Sequence, residues 1–400
     1  MSVDAVDVLI VGAGLAGARC AESLRALGFD GAILVAGEEP HLPYERPALS
    51  KEVLAGSRTP ESLVQRPEGF WVDEAIEFAC GAPVTDLDLH ARVAIVGSRP
   101  LRWRHLVLAT GARARRLPGV PETAGVHHLR TLDESRALRA DLRPGARLVV
   151  IGAGFVGAEV ASTARGLGLD VAMIEDAPIP LARVLGPEVG GRVAARIRAH
   201  GVDLRLGTRV GRVIDRGGRV RAVELADGER LACDAVLVGV GAVPNADLPS
   251  LAALARADDD GFVTDACGRT AHPDVYACGD VASAWRPELG RHARREHWTA
   301  AAAGARSVAN AIVGVERPDD SESFFWSDQF GWRLQMVGES GAHLDAEVGG
   351  DDDAGFLVHY RDPDGRLRGG LAVNRPEALG PLRRQLRPAP AIAGAPVVEA

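Results

Sequence analysis

Two glycine-rich turns constrain the fold of this chain more than any other feature of its sequence. The turns are GAGLAG at 12–17 and GAGFVG at 152–157, and each lies between an apolar strand-like run and an amphipathic helix-like run. Such a turn lets a backbone approach a pyrophosphate, and the free N–H groups of the following helix face the phosphates. Each unit continues into a second apolar strand. The sequence therefore predicts two βαβ units, each able to bind a dinucleotide.

An acidic residue follows each of the two turns at the position expected for a dinucleotide-binding unit. Glu38 follows the strand after the first turn, and Glu175 lies at the end of the strand after the second. A carboxylate at this position accepts a hydrogen bond from a ribose hydroxyl and repels a 2′-phosphate. We expect two dinucleotides, most simply FAD and a nicotinamide nucleotide, with NADH favoured over NADPH. Arg183 follows soon after Glu175 in the sequence and could bind a phosphate, so the use of NADPH stays open.

Length and charge exclude several classes of protein. A chain of 400 residues is too long for one simple core and suggests two or three domains. Its net charge of −8 argues against general nucleic-acid affinity. The N-terminus lacks a cationic leader with an apolar stretch, and no run approaches the roughly 18 apolar residues of a membrane helix. We expect a soluble, cytoplasmic protein that binds neither nucleic acid nor membrane.

Cysteine usage points away from redox or metal chemistry at sulfur. The five cysteines are Cys20, Cys80, Cys233, Cys267 and Cys278. None of them forms a C-x-x-C pair, so reduced structural thiols are expected and no metal site is predicted.

The remaining segments complete the predicted architecture. Residues 106–119 and 235–245 combine apolar runs with Pro and Gly, which suggests two crossings between domains. Three later segments suggest an antiparallel meander: 323–339, 355–362 and 366–374. A helix is expected at 376–386. The predicted fold class is α/β, with two Rossmann-like dinucleotide-binding domains and a C-terminal α+β domain.

Longer motifs resemble those of the FAD-dependent, NADH-linked ferredoxin reductases that feed cytochrome P450 and ring-hydroxylating oxygenase systems. Besides the two glycine turns, the resemblance is carried by PHLPYERPALSK (40–51), ATGARARRLPG (109–119), HHLRTLDES (127–135), PLARVLG (180–186), GVGAVPN (239–245), YACGDVA (276–282), EHWTAA (296–301) and FFWSDQFG (324–331). The last motif is the most specific, because it separates these reductases from other two-dinucleotide flavoproteins. The resemblance covers nearly all of residues 5–390.

The resemblance implies a glutathione-reductase-like architecture. An FAD-binding domain would comprise residues 1–111 and 241–316, with an NAD-binding domain of residues 112–240 inserted between its two pieces. Residues 317–400 would form the C-terminal α+β domain.

The resemblance also assigns residues to the cofactors. Val84 would touch the adenine, and Arg130 would lie near the pyrophosphate. Asp280 would bind the ribityl chain, and Trp298 would lie near the flavin pyrimidine. The implied cofactor-binding residues are Gly12, Gly14, Leu15, Ala16, Gly17, Glu38, Arg46, Lys51, Val84, Ala109, Thr110, Gly111, Arg130, Gly152, Gly154, Phe155, Val156, Gly157, Glu159, Glu175, Arg183, Gly241, Gly279, Asp280, Glu296, His297 and Trp298.

One lysine, Lys51, stands among 46 basic residues, and the resemblance places it beside the reactive centre of the flavin. A compact ammonium can donate to flavin N5 where a planar guanidinium would be too wide. An ammonium shielded from water needs a carboxylate partner, and Glu159, in the helix after the second turn, is the candidate. Trp326 completes the predicted catalytic set. It would either belong to the electron exit route or only pack against the flavin.

The implied activity passes electrons from NADH through FAD to an iron–sulfur ferredoxin, expected to be of the 2Fe-2S type. Ferredoxins are usually acidic, so docking would need a local basic surface on this acidic chain. Three arginines beside the EHW motif are the first candidates: Arg291, Arg294 and Arg295. Three near the C-terminus are the second: Arg383, Arg384 and Arg387. The sequence leaves monomer and homodimer open.

Three alternative functions are compatible with parts of this pattern. A disulfide reductase of the same architecture needs two cysteines beside the flavin, and residues 40–51 contain none. An NADH oxidase, or a reductase for rubredoxin or a nitrite-reducing partner, would keep both cofactors and change only the electron acceptor. An NADH-sensing flavoprotein would recruit a partner in its reduced form instead of turning over.

Overall fold

The first glycine turn directly follows a central strand of a seven-stranded sheet. The structure, a computed structural model, describes residues 4–286, 289–319 and 322–386. In spatial order the sheet contains Ile76–Cys80, Ile33–Gly37, Asp4–Val11, Arg99–Leu108, Val93–Val96 and Val84–Asp88, with Val275–Ala277 also paired to Arg99–Leu108. The neighbours of Asp4–Val11 run parallel to it on both sides. Its continuous apolar run is buried, as expected for a parallel strand covered on both faces.

The second glycine turn follows the central strand of a five-stranded parallel sheet. The order is Asp203–Leu206, Asp170–Glu175, Arg147–Ile151, Ala235–Val238 and Val126–His127. A small antiparallel sheet packs its apolar side chains against this sheet. Its strands are Val210–Asp215, Val220–Leu225 and Arg230–Ala232.

A two-stranded ribbon joins the two dinucleotide-type units. Ala112–Ala114 pairs antiparallel with Ala242–Pro244, and both strands fall where the sequence suggested domain crossings. We propose that the boundaries at 111/112 and 240/241 lie at this ribbon. Beyond it, Phe262–Thr264, Ala282–Arg286 and Arg291–Ala293 form a three-stranded sheet.

Nine α-helices lie within the described ranges, and three of them matter most for the site. Leu15–Ala26 and Phe155–Gly166 begin directly behind the two glycine turns, and Trp298–Ile312 begins at the EHW motif. The others are Glu52–Ala55, Glu68–Asp73, Leu132–Asp141, Ala182–Leu185, Pro187–Ala199 and Leu379–Leu386. None of the described helices is long and apolar enough to cross a bilayer.

The C-terminal region forms a five-stranded antiparallel sheet, so the predicted antiparallel pairing is confirmed and the predicted number of three strands is wrong. The order is Phe324–Gln329, Trp332–Gly338, Leu367–Val373, Gly355–Arg361 and Asp345–Asp351. The segment 323–339 is a hairpin that turns at Phe330 and Gly331, both at positive φ (50° and 75°). Two-residue hairpin turns usually contain Asn-Gly at this point. The turn was not predicted because a phenylalanine stands in place of the asparagine. The strand Asp345–Asp351 was missed because its exposed face is polar and glycine-rich.

One hydrophobic core connects three parts of the chain around the site. Leu49 and Leu54 follow the first unit, Val160 belongs to the helix behind the second turn, and Met336 and Tyr360 come from the C-terminal sheet. The predicted α/β class with two dinucleotide-type sheets and a C-terminal α+β part is confirmed. This shared core fixes side chains from all three parts close to one another.

Candidate active site

A cavity of about 1,290 Å³ extends from the first glycine turn to the helix behind the second. Most residues that the sequence assigned to cofactors line it: Gly12, Gly14, Leu15, Ala16, Glu38, Arg46, Lys51, Val84, Ala109, Thr110, Gly111, Arg130, Phe155, Val156, Glu159, Gly279, Asp280, Glu296, His297 and Trp298, together with Trp326. Seven assigned residues lie outside this lining: Gly17, Gly152, Gly154, Gly157, Glu175, Arg183 and Gly241.

The first glycine turn has the shape that a pyrophosphate requires. Gly12 has φ of +117°, and a Cβ there would collide with the carbonyl oxygen of Ala109. A Cβ on Gly17 would collide with the carbonyl of Gly12, so this residue lets the helix pack closely instead of facing the cavity. Gly14 lines the cavity, and the nearest atom to a Cβ there would be a terminal nitrogen of Arg46 at 3.9 Å. The turn therefore leaves room for a phosphate with a cation close by.

Two residues that sequence reasoning missed hold Arg46 in the cavity wall. Glu39 Oε1 accepts a hydrogen bond from Arg46 Nη2 at 2.6 Å. Burial raises the pKa of Tyr44, so its hydroxyl stays protonated and donates to Glu39 Oε2 at 2.5 Å. Arg46 Nη1 also donates to the backbone carbonyl of Arg130 at 2.7 Å. The only signal in the sequence was that Tyr44 shares the motif with Arg46.

A second cation is fixed opposite an acid of the CGD motif. Arg130 forms an ion pair with Asp280, and its Nε donates to the carbonyl oxygen of Ala112 at 2.9 Å. The next residue, Thr131, begins a helix through a capping box with Glu134. Both side chains of the pair line the cavity, which places a positive and a negative group where a phosphate and hydroxyls could bind.

The second glycine turn carries its acid in a fixed position. Glu175 Oε2 accepts from the backbone N–H of Ala153, inside the turn, at 2.7 Å, and Oε1 accepts from that of Ala177 at 2.9 Å. The carboxylate is thus held at the carboxyl end of its strand, where a ribose would lie. Arg183 is exposed at the start of a short helix.

Lys51 and Glu159 meet at the far end of the cavity. Lys51 Nζ donates to Glu159 Oε1 at 3.1 Å, and the two side chains are 13% and 8% exposed. Glu159 also accepts from Ser50 Oγ at 2.5 Å and from Ser327 Oγ at 2.7 Å. The sequence suggested the ion pair, but it gave no indication of the two serines beyond their places in the motifs.

Aromatic rings line the cavity beside this ion pair. His297 stacks on Phe325 with ring centroids 5.0 Å apart, and Phe325 contacts Phe155 edge-on, also at 5.0 Å. Burial, aided by the positive charge of Arg295, lowers the pKa of His297. A neutral imidazole at neutral pH keeps this part of the cavity free of an additional cation.

Trp326 connects the cavity to the C-terminal helix through a second phenylalanine. Its ring stacks on Phe324 with centroids 6.1 Å apart and an interplanar angle of 26°. The guanidinium of Arg383 lies 4.9 Å from the centre of the Phe324 ring. Trp326 itself lines the cavity, so the three side chains form a continuous line from the cavity to Arg383.

The first predicted docking surface is not a set of three free arginines. Arg294 pairs with Glu296 and is 11% exposed, and Arg295 pairs with Asp319, at 14% and 6% exposure. Only Arg291 is exposed. Two of the three predicted residues therefore expose little charge, because they are largely buried and paired with local acids, and docking at this surface stays a prediction. Of the second candidate set, Arg384 is exposed, and Arg383 is 43% exposed and pairs with Glu322 at 3.1 Å. Arg387 lies outside the described residues.

The residues present fit an FAD and a nicotinamide nucleotide. The cavity combines an open glycine turn, two guanidinium groups and an acid at a strand end, which together match a dinucleotide. Phe155 and Val156 belong to the second glycine turn and line the same cavity. That turn has its own acid, Glu175. The five cysteines are free, and none lines the cavity, so a disulfide cannot take part in chemistry there.

Comparisons with known proteins identify the family of the chain. Residues 6–305 match the family described as pyridine nucleotide-disulphide oxidoreductase, and residues 324–397 match the reductase C-terminal family. Rhodocoxin reductase of Rhodococcus erythropolis is 38% identical, with 93% of this chain and 87% of the relative covered. The ferredoxin–NAD(+) reductase component of the biphenyl dioxygenase system of Paraburkholderia xenovorans is also 38% identical, over 92% and 90%. The putidaredoxin reductase structure, solved in covalent complex with putidaredoxin, has a TM-score of 0.90 at 35% identity, over 95% and 93%.

The fold and site define a two-dinucleotide flavoprotein, and the chain belongs to the pyridine nucleotide-disulphide oxidoreductase family. Within that family it belongs to the ferredoxin–NAD(+) reductases that carry a reductase C-terminal domain. It is an oxidoreductase whose cofactors are FAD and a nicotinamide nucleotide.

Proposed function

We propose that this protein takes electrons from NADH and delivers them, through FAD, to an iron–sulfur ferredoxin that supplies a P450 or a ring-hydroxylating oxygenase. The observation that carries the proposal is a single cavity reached from both dinucleotide units, with the ion pair of Lys51 and Glu159 at their meeting point. The names of the related reductases support a ferredoxin as the acceptor.

The protein's own side chains orient the reaction and balance its charge. FAD, when bound, supplies the acceptance of a hydride and the return of electrons one at a time. Lys51 holds a positive charge and N–H donors at the reacting end of the cavity. Glu159 neutralises that charge when the cavity is closed to water, since a buried ammonium without a partner would be costly. Hydride transfer needs no general base, so no residue is assigned that role.

Glu38 and Glu175 would select the ribose ends of the two cofactors. Because Glu175 is held by two backbone N–H groups, it cannot swing away from a 2′-phosphate without breaking both hydrogen bonds. We therefore propose that NADH is used in preference to NADPH.

The ferredoxin would dock where the C-terminal helix covers the line of aromatic rings. The stacked pair of Trp326 and Phe324 runs toward Arg383, and Arg384 adds an exposed positive charge on the same helix. Arg383 pairs with Glu322 but stays 43% exposed, so its side chain and that of Arg384 still offer exposed N–H donors to an acidic partner on a chain of net charge −8. We favour this surface over the one around Arg294 and Arg295, whose charges are less exposed.

An acceptor panel tests the function. The purified, FAD-loaded protein is mixed with NADH and either oxygen alone, a 2Fe-2S ferredoxin or a rubredoxin. We expect slow oxygen consumption and fast reduction of at least one ferredoxin. Faster turnover with oxygen alone would identify an NADH oxidase, and exclusive turnover with rubredoxin would identify a rubredoxin reductase.

A further inference from the structure

The carboxylate of Glu159 is held by more donors than an ion pair alone requires. Its Oε1 accepts from Lys51 Nζ at 3.1 Å and from Ser327 Oγ at 2.7 Å, and its Oε2 accepts from Ser50 Oγ at 2.5 Å. Ser50 is 5% exposed, Ser327 is 1% exposed and Glu159 is 6% exposed. In such a setting a hydrogen bond to a charged group is stronger than at the surface, and an unmet lone pair is costly.

The carboxylate and its donors come from three separate parts of the chain. Ser50 and Lys51 precede the short helix Glu52–Ala55, Glu159 lies in the helix behind the second glycine turn, and Ser327 lies in the strand Phe324–Gln329 of the C-terminal sheet. The carboxylate is therefore the point at which the three parts meet through polar contacts.

Each serine is itself oriented by a neighbour. Gln329 Nε2 donates to Ser327 Oγ at 3.2 Å, which leaves the single hydroxyl proton of Ser327 free to point at Glu159. The backbone carbonyl of Ser50 accepts from Thr163 Oγ1, one turn beyond Glu159 in the same helix, at 2.8 Å. The first contact orients the Ser327 hydroxyl toward the carboxylate, and the second ties the backbone of Ser50 to the helix that carries Glu159.

The contact between the helix and the strand is fixed independently. Ser162 Oγ accepts from the backbone N–H of Phe330 at 2.7 Å, which locks the helix of Glu159 against the hairpin that carries Ser327. The residue before Ser327 is Trp326, which lines the cavity. One strand thus touches both the carboxylate partner of Lys51 and the aromatic wall of the cavity.

We propose that Ser327 and Ser50 are positioning residues that hold Glu159 in one rotamer, and through it aim the Lys51 ammonium at the flavin. The inference rests on the proposed role of the Lys51–Glu159 pair in NADH oxidation. A glutamate side chain turns about three bonds, so a carboxylate held by Lys51 alone could follow the flexible lysine. With both hydroxyls bound, the carboxylate stays in place and the lysine follows it instead.

The test compares Ser327→Ala and Ser50→Ala with a matched control, Ser135→Ala. Ser135 is also fully buried, but its hydroxyl donates to the backbone carbonyl of Leu49 at 2.7 Å instead of to a carboxylate. Anaerobic stopped-flow reduction by NADH gives the limiting rate and the apparent NADH dissociation constant separately. We expect Ser327→Ala and Ser50→Ala to lower the limiting rate about tenfold, with the NADH constant unchanged. Ser135→Ala should lower stability without changing either quantity.

A double-mutant cycle with Glu159→Gln separates the possible failures. If Ser327 acts through Glu159, adding Ser327→Ala to Glu159→Gln should leave the limiting rate nearly unchanged. If the two substitutions lower the limiting rate independently, so that their effects multiply, the positioning role is overturned. The role of the ion pair would then remain intact. A Glu159→Gln variant that is reduced at the wild-type rate would overturn the role of the pair, and the positioning role with it.

Urea unfolding of the same variants, each loaded with FAD, tests the contact without any redox chemistry. The shifts of the urea midpoint caused by Ser327→Ala and Glu159→Gln should be non-additive, whereas those of Ser135→Ala and Glu159→Gln should add. Additive shifts for Ser327 and Glu159 would show that the serine does not hold the carboxylate and would overturn the inference.

Discussion

Lys51 Nζ lies 3.1 Å from Glu159 Oε1, although the two residues are 108 positions apart and belong to different dinucleotide units. The pair brings the loop of the first unit onto the helix of the second, at the end of the cavity where Phe155 and Trp326 also lie. Because it is mostly buried, its geometry depends on the size and shape of the cation.

Lys51→Arg should slow hydride transfer although it keeps the charge. A planar guanidinium is wider than an ammonium and cannot place a donor at the same point without moving Glu159. We expect FAD to stay bound and the limiting rate of flavin reduction to fall by at least tenfold, which corresponds to about 1.4 kcal/mol. If stopped flow shows reduction at the wild-type rate, the lysine at position 51 has no special role and reflects only the amino-acid composition of the chain.

Glu175→Arg should narrow or invert the preference for NADH. The substitution replaces a ribose acceptor by a phosphate donor at the end of the strand that follows the second glycine turn. Glu175→Gln is the control, since it removes the charge but can still bond Ala177 or a ribose. The ratio of kcat/KM for NADH and NADPH is the measurement, and a wild-type protein with equal values for both would remove the role given to Glu175.

Acid should destabilise the protein in part through His297. Burial lowers the pKa of His297 in the folded state, so the unfolded chain binds its proton first as the pH falls. The histidine's contribution to stability is therefore complete above the unfolded value of about 6.5 and is lost progressively below it.

His297→Phe keeps the ring stacked on Phe325 and removes the titration. The urea midpoints of the FAD-loaded wild type and variant should be compared at pH 7.5 and at pH 5.5. We expect a smaller acid-induced loss for the variant. An equal loss in both proteins would show that His297 does not take part in acid unfolding.

Ferredoxin turnover should depend on the C-terminal helix Leu379–Leu386 more than on the strand Arg291–Ala293. Arg383→Gln with Arg384→Glu should lower kcat/KM for ferredoxin and flatten its dependence on salt, since the Debye length falls from about 30 Å at 0.01 M to about 8 Å at 0.15 M. Flavin reduction by NADH should be unchanged in this variant. Arg291→Glu is the matched control at the other surface. A ferredoxin rate that responds to Arg291 alone would place the docking site there.

Local motifs allowed much of the site to be predicted, because a glycine turn determines its own backbone and the start of its helix. The turns at Gly12 and Gly152 are of this kind, and so is the acid Glu175 at the next strand end. The ion pair of Lys51 and Glu159 was accessible only through the family resemblance, since 108 residues separate its partners.

Features that depend on long-range packing could not be predicted. In the sequence, Arg294 and Arg295 form a basic run that suggests an exposed positive surface. The folded chain shows that Glu296 and Asp319 pair with these two arginines. Ser327 is a common residue in a strand, and its contact with Glu159 depends on how the C-terminal sheet docks on a helix.

Anaerobic double-mixing stopped flow tests the account most directly. The FAD-loaded protein is first reduced with one equivalent of NADH, and is then mixed with an oxidised 2Fe-2S ferredoxin while flavin and cluster absorbance are followed separately. We predict fast flavin bleaching in the first step, and in the second step flavin reoxidation at the rate of cluster reduction, with two ferredoxins reduced per NADH. Flavin that stays reduced in the presence of every ferredoxin tried, while reacting freely with oxygen, would contradict the account.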